Sequence, residues 1–174
     1  MSGTCFIDID GVLNYYPEAW LQYLSDKGSP FKSIEEAKNS LTYREYTTYK
    51  SQYRESTYKR DQPVRVGAVE FTSDLYELGY EVIIKTQRPV IEHPHLVEWT
   101  YNWLNEHGFT YYDVIFVRYN LTDSLVYDPD FIVDDELEIV RLFDSYGVKS
   151  YHFTGSFEKI LSELKNEDVH SYIT

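Results

Sequence analysis

The chain has 174 residues, a net charge of −13 and 43% hydrophobic residues. That is enough apolar material for one folded domain, it excludes global disorder, and no run reaches the roughly 20 apolar residues of a membrane-spanning helix. The single cysteine, Cys5, excludes an intrachain disulfide; a reducing, cytoplasmic setting with no leader peptide and no membrane partner is expected.

The first predicted element is a short buried strand, TCFIDID, that carries two carboxylates, Asp8 and Asp10, at its end. PEAWLQYLSDKG reads as a helix opened by Pro17 and stopped by Gly28. Ser33 and Glu36 have capping-box spacing and open a long polar helix expected to run to about residue 60, before Pro63. A small helix near Ala68 to Leu78 stops at Gly79. YEVIIKT (80–86) is a strand whose unalternating apolar run suits a parallel sheet covered on both faces. HLVEWTYNWLNEHG is an amphipathic helix with Trp99 and Trp103 on its core face, YDVIFV a strand, and PDFIVDD a strand ending in Asp134 and Asp135. A helix (ELEIVRLFDSYG), a strand (VKSYHF) and a final helix (SFEKILSELK) complete the chain. Alternating strands and helices predict an α/β fold, a Rossmann-like parallel sheet flanked by helices.

Charge is unevenly distributed. Lys27 to Arg65 holds nine Lys or Arg and five Asp or Glu, a net of +4, which leaves −17 for the remainder. That asymmetry marks this stretch as a distinct insertion.

Ligands of such sheets bind at the carboxyl ends of the strands. There the sequence offers Asp8 and Asp10, then Thr86 with Gln87 and Arg88, then Arg118, then Asp134 and Asp135. Several carboxylates brought together ionise cheaply only with a cation, and Mg2+ takes oxygen ligands together with a substrate phosphate. Thr86 and Arg88 offer donors to phosphate oxygens, and Gly11 lets the backbone turn sharply and approach a ligand.

With these residues in view, FIDIDGVLN resembles the first motif of the haloacid dehalogenase (HAD) superfamily of phosphatases, VIIKT the second and FIVDDE the fourth, in the same order. The resemblance implies a HAD core of residues 1–14 and 67–174, with a small helical cap, residues 15–66, inserted after the first strand. It implies that Asp8 is the nucleophile and forms an aspartyl-phosphate, that Asp10 is the general acid and base, and that Thr86 holds phosphate. Mg2+ would sit on Asp8, Asp10 through its main-chain carbonyl, Asp134 and Asp135. The third motif of the family is a Lys, sometimes Arg, shortly before the fourth strand; no Lys lies between Arg118 and Asp134, and Arg118 is the candidate substitute. Thr86-Gln87-Arg88 resembles the T-x-R of nucleotide and polynucleotide phosphatases, which implies phosphate contact for Arg88.

In the cap, Tyr43, Tyr46, Tyr49 and Tyr53 share one helical face. They are expected to pack the cap on itself or on the core; the functional alternative has them stack a base while Lys50 or Arg54 meets phosphate. Tyr15 or Tyr16 is a candidate for the pocket wall. His93-Pro94-His95, with no Cys or acidic ligand pattern nearby, reads as an exposed loop rather than a transition-metal site. The expected function is a Mg2+-dependent phosphomonoester hydrolase for a small phosphorylated substrate, a nucleotide or deoxynucleotide monophosphate. The alternatives are a polynucleotide 3′-phosphatase acting on a nucleic-acid end, and a non-catalytic HAD-fold binding module.

Overall fold

The structure, a computed structural model, describes residues 3–117 and 121–171. Arg118 therefore lies outside the described residues. Five parallel strands, β1 (Gly3–Ile7), β2 (Tyr80–Thr86), β3 (Asp113–Phe116), β4 (Phe131–Asp134) and β5 (Lys149–His152), form one sheet in the order β3-β2-β1-β4-β5. The order reverses beside β1, so β1 ends in the crevice where ligands of such sheets bind.

Strand parity sorts the buried residues into two layers. Ile7, Val82, Ile84 and Val133 pack against α5 (Ala68–Glu77), α6 (His95–Glu106) and α8 (Phe157–Ser171). Phe6, Ile83 and Ile132 face the other way, against Ile139 and Phe143 of α7 (Leu137–Ser145). Register places Ile7 beside Ile84 and Val133, so Asp8 follows β1 at the level of Lys85 of β2 and Asp134 of β4.

The insertion after β1 forms four helices, α1 (Glu18–Asp26), α2 (Ile34–Ser40), α3 (Tyr43–Arg54) and α4 (Thr57–Arg60). The single long helix expected from residue 33 to 60 is thus three. Ser33 does cap α2, its hydroxyl accepting from Glu36 N–H at 3.1 Å. A second box starts α3: Thr42 Oγ1 accepts from Glu45 N–H, and the Glu45 carboxylate accepts from Thr42 N–H at 2.8 Å. The cap demands extended backbone at Thr42, which ends the preceding helix. These helices bury an apolar cluster of their own around Trp20, Tyr23, Leu24, Ala37 and Tyr53, with Tyr46 and Tyr49 packed against it. The Tyr stripe therefore packs inward, except Tyr43, which is exposed. Trp103 is core as expected, while Trp99 is only half-buried, its ring edge-on to His95. Among the described residues, no helix is long and apolar enough to cross a membrane.

Candidate active site

The strand ends supply three charged groups on one face by simple alternation. Phe6 and Asp8, Ile83 and Lys85, and Ile132 and Asp134 share the α7 side of the sheet. Lys85 is fully buried, and its Nζ lies 3.2 Å from Asp134 Oδ2. A buried ammonium is tolerable there only because a carboxylate meets it. Asp134 Oδ1 accepts from Glu136 N–H at 3.0 Å, which fixes the carboxylate at the entrance to α7.

The carboxylate oxygens of Asp8, Asp134 and Asp135 gather within 4.8 Å of one another. Burial raises the Asp8 pKa well above the ordinary range, and Asp134 raises it further, against the opposing pull of Lys85. Asp135 is pushed up to about 7, by burial first and then by Asp134 and Glu136. Three crowded acids with hard oxygen donors, uncompensated by the one ammonium, fit a divalent cation of the Mg2+ type. Gly11 makes the crowding feasible. Its φ is +98°, and a Cβ at that position would stand 2.0 Å from Asp135 Oδ2. Its own N–H donates to Asn14 Oδ1 at 3.2 Å.

Asp10 points elsewhere, into a cationic nest. Lys59 Nζ donates to its two oxygens at 2.6 and 2.8 Å. Arg88 donates through Nε at 3.2 Å and Nη2 at 3.1 Å, and Asn14 Nδ2 at 2.8 Å. Burial alone would raise this carboxyl; Arg88 and Lys59 outweigh it and hold Asp10 ionised, far below the usual carboxylate range. Burial and neighbouring Arg88 lower Lys59 to about 8 despite Asp10. Gln62 ties the nest together: its Oε1 accepts from Asn14, Lys59 and Arg88, and its Nε2 donates to Tyr53. Arg65 clamps the loop that follows β1, donating to the carbonyls of Gly11, Val12 and Asn14.

These groups border a cavity of about 180 Å³. Asp8, Asp10, Thr86, Gln87 and Arg88 line it from the sheet, and Tyr16, Lys50, Arg54 and Lys59 from the inserted helices. Thr86 is buried at its floor, with Oγ1 accepting from Arg88 N–H at 3.4 Å. Arg88 is 4% exposed and pairs with Asp10 rather than with a surface acid. Lys50 lies over the rings of Tyr16 and Trp20 with its Nζ 2.5 Å from the Tyr16 hydroxyl; burial, then Lys59 and Arg54, lower it to about 7. Of the two tyrosines after β1, Tyr16 lines the cavity, whereas Tyr15 packs under Arg65 and accepts from Val66 N–H.

Four site residues escape a reading of motifs: Lys59, Lys85, Asn14 and Gln62. Lys85 carried a signal, a charge inside an otherwise apolar strand and in register with Asp8. Lys59 carried none, because its meaning depends on how the inserted helices fold back.

No protein-family model matches the chain. Its fold resembles that of solved hydrolases, a HAD-superfamily hydrolase among them. A hydrolase from Streptococcus pneumoniae superposes with a TM-score of 0.59 at 15% identity, covering 95% of this chain and all of that one. A HAD-superfamily hydrolase from Ehrlichia chaffeensis gives 0.51 at 14%, covering 95% of this chain and 97% of that one. A chain of the Pnkp1/Rnl/Hen1 RNA repair complex gives 0.55 at 14%, covering 88% of this chain and 42% of that one. In sequence, the chain is 29% identical over 101 residues to a Chlorobaculum tepidum protein provisionally named a 5′(3′)-deoxyribonucleotidase, a match over 57% of this chain. The match spans about half of that relative, 48% of its length.

Proposed function

We propose that this chain is a HAD-type phosphoric monoester hydrolase with a small helical cap, residues 15–66, over a core of residues 1–14 and 67–174. The observation that carries the reading is one cavity that joins a carboxylate to several cations. Asp8, with Asp134 and Lys85 beside it, and Arg88 reach it from the strand ends, and Lys50, Arg54 and Lys59 from the inserted helices. A phosphate dianion is drawn to these cations, and Arg88 can meet it through a planar fork.

Asp8 attacks phosphorus to form an aspartyl-phosphate, and the leaving oxygen takes a proton from Asp10. With Lys59 and Arg88 on its carboxylate, Asp10 holds no proton. Substrate phosphate competes for those same two cations; as they turn to it, Asp10 takes up one proton from bulk water, and that proton is the one it gives to the leaving oxygen as the ester P–O bond breaks. The same group then takes a proton from the water that hydrolyses the intermediate. Lys85, fixed to Asp134 and acting on Asp8, fills the electrostatic part of the third-motif Lys that the sequence lacks before β4. Asp8, Asp134, Asp135 and the Asp10 carbonyl would hold Mg2+, whose charge, when bound, offsets the repulsion between the Asp8 carboxylate and phosphate oxygens.

The cavity is smaller than the roughly 300–1,000 Å³ of sites that enclose a whole drug-sized ligand. It accommodates the phosphoryl end, while the leaving group extends past Tyr16 and Arg54. A nucleotide or deoxynucleotide monophosphate suits this, and the provisional name of the Chlorobaculum tepidum relative supports the same class. A 3′-phosphorylated nucleic-acid end is the second reading, because a leaving group that projects outward need not be small. The test is phosphate release from nucleoside 3′- and 5′-monophosphates, sugar phosphates and a 3′-phosphorylated oligonucleotide. Preferred turnover of mononucleotides is expected; preference for the oligonucleotide, weakening with salt, selects the second reading. Release from neither, in a folded protein, contradicts both and leaves a binding module.

A further inference from the structure

A second cluster of metal-ligating side chains lies at the seam between the inserted helices and the core. Glu55 closes the C-terminus of α3. His93 stands in the segment between Arg88 and α6, and His95 is the first residue of α6. One ligand atom from each lies within 4.8 Å of the others. His93 Nδ1 is 2.5 Å from Glu55 Oε1, and His95 Nε2 is 3.5 Å from Glu55 Oε2. The His93 side chain is 8% exposed and held in place, whereas that of Glu55 is 55% exposed and free to adjust. The expectation of an exposed loop here is corrected at His93, and the missing acid comes from 38 residues upstream.

We infer that Glu55, His93 and His95 form a transition-metal site, with Zn2+ the best-matched ion, that clips the inserted helices to the core. Two imidazoles and one carboxylate leave a fourth position for water, and imidazole selects zinc-like ions over Mg2+. The cluster at Asp8 is all carboxylate and has the opposite preference. The two sites therefore sort metals by ligand chemistry. Ligand bonds of about 2.0–2.2 Å require the Glu55 and His93 atoms to part slightly, which the exposed Glu55 allows. The His95 Nε2 contact to the Arg54 carbonyl, 3.0 Å, is a hydrogen bond in the tautomer protonated at Nε2; a metal on Nε2 takes the other tautomer, with the ring proton on Nδ1, and replaces that hydrogen bond.

The clip would act at two places on the catalytic cavity. Glu55 precedes the short α4 that presents Lys59, and His93 ends the segment that begins with Arg88. Both cations hold Asp10. A metal joining Glu55 to His93 would fix the spacing of the phosphate-facing pair from outside the cavity.

Trp99, whose ring centroid is 4.4 Å from that of His95, is a built-in reporter. The experiment strips the 174-residue chain with chelator and titrates it with Zn2+ and Co2+ in excess Mg2+, which occupies the carboxylate site. Bound metal is counted by mass spectrometry, and Co2+ is followed by its visible absorption and by quenching of Trp99. One equivalent of Zn2+ that Mg2+ does not displace is expected, retained in Asp8→Asn and lost in Glu55→Gln and His95→Gln. Both of the latter side chains are partly exposed, so these variants should fold; Co2+ quenching should also vanish in Trp99→Phe. No retained equivalent, or one that survives Glu55→Gln and His95→Gln, or one lost in Asp8→Asn, would overturn the inference and leave the cluster a hydrogen-bonded latch.

Discussion

The Asp10–Lys59 pair should respond very differently to loss of each partner. In Asp10→Asn, Lys59 and Arg88, 6% and 4% exposed, both lose their carboxylate. Breaking a buried pair this way costs about 3–5 kcal/mol. Because the Asp10 side chain is 23% exposed and Gln62 Oε1 still accepts from both cations, the lower end applies, about 3 kcal/mol. In Lys59→Met, a similar stem stays packed and the desolvation cost of the ammonium disappears. Asp10 keeps Arg88 and Asn14, so the change should stay within about 1 kcal/mol. Urea unfolding in chelator, with equal slopes for both variants, reads the difference. In thermal terms, each 1 kcal/mol is about 2–4 °C for a chain of this size. A loss in Lys59→Met that equals or exceeds that in Asp10→Asn would refute the reasoning.

Further outcomes follow from the same geometry. Gly11→Ala places a methyl 2.0 Å from Asp135 at a positive φ, so it should lower stability by about 1–2 kcal/mol and weaken Mg2+ binding, read by calorimetry. Lys85→Met leaves Asp134, 2% exposed, without its counter-ion; it should lose about 3 kcal/mol in chelator, and Mg2+ should restore much of that in a melting experiment. Lys50 loses its charge above about 7 and Lys59 above about 8, so kcat/KM should fall in two steps as pH rises; in Lys59→Arg, which keeps its charge, the step near 8 should disappear and the one near 7 remain.

Much of the core was legible because parallel strands read as apolar runs, and the charged residues that interrupt them collect at one edge. Asp8, Asp10, Thr86 and Arg88 line one cavity, and Asp134 stands beside Asp8, close to where their places at the strand ends put them. What stayed hidden depends on long-range folding. Polarity from residue 33 to 60 reads as one helix until the Thr42–Glu45 box is weighed, and that break is what lets α4 return Lys59 to Asp10. His93 looked solvated because its acid, Glu55, sits on another element. Lys85 was legible by parity, since it alternates with Ile83 on the face that carries Asp8, but a motif search reads that strand only for the Thr that ends it.

The central claim is that Asp8 is a phosphate-accepting nucleophile. The direct measurement is phosphate release from p-nitrophenyl phosphate, with Mg2+ and with chelator, for the wild type beside Asp8→Asn. Turnover that needs Mg2+ and disappears in Asp8→Asn, with the variant still folded, is the predicted result. Turnover that survives Asp8→Asn would contradict the account.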